Sequence, residues 1–74
     1  MNMENNLNNE LPRLLRAEEV ARCIGMSKNS IFRMARAGKF PKQIRVSGQT
    51  TAWLESEVRE WIAKRVKERN EASK

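Results

Sequence analysis

A chain of 74 residues with one Cys, no His and a formal net charge of +6 has room for one small domain, which buries only about 60% of its unfolded surface. These figures exclude an internal disulfide and histidine chemistry, and no apolar run approaches the roughly 20 residues of a membrane span. The positive charge is concentrated, because residues 13–54 hold nine Lys/Arg against only Glu18 and Glu19, which points to a polyanion such as DNA or RNA, less often an anionic membrane, with a solvated basic surface as the plain alternative.

Residues 1–10, MNMENNLNNE, offer almost nothing to bury and read as a disordered tail rather than a secretory leader. An ordered domain is expected over 11–70, with fraying over 71–74. The single Cys suits a reducing cytoplasm, and Cys23 reads as a small buried apolar residue.

LLRAEEVARCIGMS reads as a first helix with Ala17, Val20, Ala21 and Ile24 on one face. Glu18 and Glu19 favour the positive end of its dipole, and Gly25 stops it. Ser27 is a good N-cap, so a second helix follows after about three residues, a helix-turn-helix spacing. That helix is expected over Lys28–Ala37. A 100° step per residue places Ile31, Met34 and Ala35 inward and Asn29, Ser30, Arg33 and Arg36 outward. Gly38 is the expected C′ residue, and Pro41 bars continuation.

KQIRVSGQTTAW alternates around a Gly-containing turn and predicts a β-hairpin with its tip near Ser47–Gln49. A lone hairpin is marginal, so it must pack on the helices through Ile44, Val46 and Trp53. LESEVREWIAKRVKERN predicts a third helix with a stripe of Val58, Trp61 and Ile62, extended by Val66, and with acids opening it and bases closing it. Trp53 and Trp61 read as core aromatics, and Met26 and Met34 as fillers.

The second helix, SKNSIFRMARAGKFP, carries Lys28, Arg33, Arg36 and Lys39 and no acid. A helix in the DNA major groove lies between two rows of phosphate, which repel acids, while Arg and Lys release condensed counterions. Arg reads guanine, Asn reads adenine, and Ser reads either. The candidate recognition residues are therefore Ser27, Lys28, Asn29, Ser30, Arg33 and Arg36, at the helix that such proteins present to the bases. Lys42, Arg45, Ser47, Gly48, Gln49 and Thr50 form a candidate wing on the phosphates or in the minor groove. No metal-ligand cluster, phosphate loop or catalytic pair is evident, so an enzyme, a cofactor and a small-molecule substrate are not expected.

The segments EVARCIGMS, SIFRMARAGKFP, GQTTAW and SEVREWI together resemble the AlpA family of prophage-associated transcriptional regulators, over Arg13 to about Arg65. The resemblance implies a fold that is mainly α with a small β-hairpin, a winged helix-turn-helix in the order helix–helix–hairpin–helix, related to small excisionases and MerR-like domains. It implies sequence-specific binding of double-stranded DNA in the bacterial cytoplasm, with the protein nucleoid-associated when bound, and a role in activating an integrase gene or aiding excision. Phe32 and Gln49 depart from it, standing where Tyr and Arg are frequent. One alternative is an excisionase-type factor that bends attachment-site DNA. Another, from a different class, is an interaction module docking an acidic protein. A single copy has a small footprint, so further copies on repeated sites or a dimer are expected on DNA.

Overall fold

The computed structural model describes residues 11–72; the tail expected over 1–10 and the last two residues lie outside them. The described chain runs β1 (Leu14–Leu15), α1 (Ala17–Ile24), α2 (Lys28–Arg36), β2 (Ile44–Ser47), β3 (Thr50–Leu54) and α3 (Glu55–Ala72). This is the expected class, mainly helical with a small antiparallel sheet in winged helix-turn-helix order.

The helix ends follow their local chemistry. Glu19 Oε1 accepts a hydrogen bond from Arg16 N at 2.9 Å and satisfies an amide at the start of α1. Gly25 takes the left-handed conformation at φ 78° and ends α1. Ser27 caps α2, its Oγ accepting from Ser30 N at 3.1 Å. At the other end Gly38, also at φ 78°, lets Lys39 N reach back to Met34 O at 2.8 Å, a Schellman closure.

Leu14 and Leu15 correct the reading of the first helix. They form a strand, with Leu14 opposite Leu54 and Leu15 opposite Trp53. The hairpin thus becomes a three-stranded sheet ordered β1-β3-β2. Two residues have no periodicity of their own; their state is decided by a partner strand far along the chain. Glu55 N donates to Arg13 O at 2.7 Å beside that pairing. α3 remains helical through Ala72, past the expected start of fraying at 71.

The core comprises Leu15, Val20, Ile31, Ala35, Phe40, Trp53 and Val58, with Ala17, Ile24, Phe32, Met34 and Trp61 packed on it. Ile44 and Val46 do not join it; they are 37% and 50% exposed. β2 is an edge strand, and it is the central strand β3 that buries Ala52 and Trp53. Cys23 is likewise exposed rather than buried, because Ala17, Val20 and Ile24 make the packed face of α1. Met26, Ile62 and Val66 are exposed too. The core takes only Val58 and Trp61 from α3, and later turns outrun it.

An aromatic ladder ties α2 to α3. Phe32 lies 5.3 Å from Trp53 between ring centroids, Trp53 lies 6.2 Å from Phe40, and Phe40 lies 5.0 Å from Trp61, the last two edge to face. Both indoles also donate to the linker after α2. Trp53 Nε1 reaches Pro41 O at 2.7 Å and Trp61 Nε1 reaches Lys39 O at 2.9 Å. The Gly-Lys-Phe-Pro segment is held at both sides, which fixes where α2 ends and where β2 begins.

Candidate nucleic-acid interface

α2 is a nine-residue helix, and a helix with its side chains is about 10–12 Å across, which the roughly 12 Å width of the major groove admits. Full burial of Ile31 and Ala35 sets the rotation of α2 about its axis. Asn29, Arg33 and Arg36 then fall on the exposed side. None of the three side chains has a hydrogen bond or ion pair among the described residues, so their polar ends are available to a partner. The first turn of α2 contains no acid.

The other sequence-derived recognition residues are already engaged. Ser27 Oγ accepts from Ser30 N and donates to Ser30 Oγ at 3.0 Å. That leaves the Ser30 hydroxyl proton free, while Ser27 serves the cap. Lys28 Nζ lies 3.3 Å from Glu18 Oε2, bridging the starts of α1 and α2. The Glu18 carboxyl is held below its ordinary range, first by a backbone hydrogen bond and then by the hydrogen bond and charge of Lys28. It is therefore ionised at neutral pH. Sequence reading assigned Glu18 only to the α1 dipole; its link to Lys28 crosses a turn, where helical spacing carries no signal.

In the wing, Lys42, Arg45, Ser47, Gly48 and Gln49 are exposed and Thr50 is half-buried. Lys42 has no partner among the described residues. Arg45 folds back, its Nη1 donating to Gly48 O at 2.9 Å, which braces the tip. Register shifts between Arg45 and Ser47, a local irregularity that bends an edge strand and raises its twist.

The two basic elements meet. Arg36 of α2 and Lys42 before β2 border one hollow of about 280 Å³, completed by Phe32, Ala35 and Gln43. No acidic side chain lines it. By contrast, a wider cleft of about 600 Å³ between the linker and α3 is lined by Glu57, Glu60 and Glu68 as well as Lys39, Lys64 and Arg65. There Arg65 lies 4.8 Å over the Trp61 ring and 2.9 Å from Glu68. The acids of α3 thus accompany bases at one cleft, whereas among the described residues the only charged ones at the α2–β2 hollow are the cations Arg36 and Lys42. Among the described residues no cluster of His, Cys, Asp and Glu could hold a metal ion, and no helix is long and apolar enough to cross a membrane.

Residues 13–66 match the profile of a family described as "Prophage CP4-57 regulatory protein (AlpA)". The chain is also similar to "Uncharacterized protein ORF88" of Enterobacteria phage P4, with 43% identity over 54 residues. That match covers 73% of this chain and 61% of the relative, so the chain spans less than two thirds of the phage protein's length. No solved structure gives a significant match.

Proposed function

The chain belongs to the AlpA family of prophage regulatory proteins, DNA-binding regulators of transcription, and within that family we propose that it reads a specific DNA sequence with α2 in the major groove. The β2–β3 wing lies on the adjoining backbone or in the minor groove. The observation that carries this reading is the outward face of α2, where Asn29, Arg33 and Arg36 stand exposed and unpartnered beside Lys42.

Each residue has a role its chemistry can fill. Asn29 and Arg33 reach base edges, Asn pairing with adenine and Arg with guanine. Arg36 and Lys42 take phosphates across the hollow they share. Ser27 and Lys28 act at the helix start, and Ser30 offers one hydroxyl proton. Arg45 works from the wing, where its bond to Gly48 O sets the shape of the tip that carries Ser47, Gln49 and Thr50. A single α2 reads few base pairs, so useful affinity comes from several copies on repeated sites.

Footprinting on the DNA that flanks the gene tests the proposal first, by locating a protected site. On that site Arg33→Ala and Asn29→Ala are each expected to cost about 1–3 kcal/mol, with a smaller loss on random DNA. Unchanged binding by both variants at moderate salt would remove α2 as the reader and favour an acidic protein partner instead. A transcription reporter run beside an excision assay separates a promoter role from an attachment-site role.

A further inference from the structure

Glu18 and Glu19 are the only acids between residues 13 and 54. Glu19 has a structural task, accepting the hydrogen bond from Arg16 N. Glu18 instead extends across the turn to Lys28, the first residue of α2, with Nζ to Oε2 at 3.3 Å. Both side chains are more than half exposed, and an exposed pair of long side chains adds little to stability because water and salt screen it. The carboxylate also stands at the entrance of a helix otherwise stripped of negative charge. Its place in the first turn suits the α1 dipole, but the dipole does not require the side chain to reach Lys28.

We propose that Glu18 is a specificity-determining residue, which restrains the Lys28 ammonium against α1 and so keeps that cation from strengthening contacts with arbitrary phosphates. The inference rests on the reading of α2 as the DNA-facing helix. On unrelated DNA, binding is almost wholly electrostatic and the protein settles wherever free cations find phosphates. A released Lys28 would join those contacts. At the specific site Asn29 and Arg33 fix the helix on the bases, so a released Lys28 gains a phosphate only where that register happens to offer one. Restraining Lys28 therefore weakens arbitrary binding more than specific binding. Glu18 acts through Lys28, as a positioning residue.

The test is Glu18→Gln in the full chain, titrated over a salt series on two 30-base-pair duplexes, one bearing the footprinted site and one of unrelated sequence. Release of one lysine adds up to about 0.9 to the salt slope and tightens unrelated binding by no more than about five-fold, the most that an exposed pair can withhold. The specific site is expected to tighten less, so discrimination falls. In a Lys28→Ala background the same substitution is expected to change neither slope nor discrimination. A wild-type slope for Glu18→Gln on unrelated DNA overturns the proposal, and so does an equal change in the Lys28→Ala background. Absence of any footprint from the wild-type chain instead overturns the DNA-reading function itself, a separate outcome.

Discussion

Trp53→Phe and Trp61→Phe delete the same indole N–H from two sites that differ in access to water. Trp53 is fully buried, and its bond to Pro41 O at 2.7 Å lies in a partly buried environment. Removing the donor strands that carbonyl, at about 1–3 kcal/mol. The smaller ring also gives up apolar contact worth about 1 kcal/mol. The total of about 2–4 kcal/mol is a large part of what a domain this small possesses. At Trp61 the bond to Lys39 O is exposed, so water replaces the lost donor and the cost is about 0.5–1.5 kcal/mol. The phenyl ring retains the edge contact with Phe40 and part of the interaction with Arg65. Urea unfolding followed by circular dichroism measures both losses on one scale, independent of indole fluorescence. The expected order is Trp53→Phe well below Trp61→Phe, which in turn lies a little below the wild type. Equal losses, or a greater one at Trp61, would refute the assignment of the linker's anchorage to burial at Pro41.

Ser27→Ala removes the cap of α2 and should cost about 1 kcal/mol, seen as a fall of about 4–8 °C in melting temperature. Gln49→Arg adds a cation at the exposed wing tip and should steepen the salt dependence of DNA binding by about 0.9; an unaltered slope would place no phosphate near that tip. The lowered Glu18 carboxyl contributes stability that is complete above the ordinary glutamate range and is lost as pH falls through the lowered folded value. Melting curves of the wild type and Glu18→Gln should therefore differ near neutral pH and converge in acid, and the difference should shrink as salt is added. Divergence growing toward acid would contradict the sign.

Local signals were readable wherever one side chain or one helical turn decides the outcome. Ser27 as a cap, Gly25 and Gly38 as stops, and the inward set of Ile31 and Ala35 all stand where short-range chemistry puts them. What was illegible depends on partners distant in sequence. Leu14 and Leu15 alternate with nothing and become a strand only through β3. Ile44 and Val46 have the composition of packed strand residues, but an edge position leaves their side chains outside the core. Phe40 sits in what reads as an exit turn, yet two tryptophan rings enclose it. In the candidate site, the outward residues of α2 followed from helical phase, whereas the Lys28–Glu18 contact joins two helices across a turn, and the Arg45–Gly48 bond, although local, has no helical or strand period to announce it.

α2 also keeps its proposed reading face apart from the face that folds the domain. Its inward residues Ile31 and Ala35 are sealed in the core, and Phe32 is joined to the tryptophan ladder. The side chains of its outward residues Asn29, Arg33 and Arg36 have no polar partner among the described residues. Substitutions on the outward side away from caps should change stability by no more than about 0.5 kcal/mol, while any change of volume at Ile31 or Phe32 is transmitted to Trp53 and the linker. Under the proposed reading, sequence preference can thus change through the outward residues without repacking the domain. The orientation of α2 relative to the wing depends instead on the packed aromatics Phe32, Phe40 and Trp53, so under the proposed reading a core substitution that leaves the chain folded is expected to weaken binding by misaligning α2 and the wing.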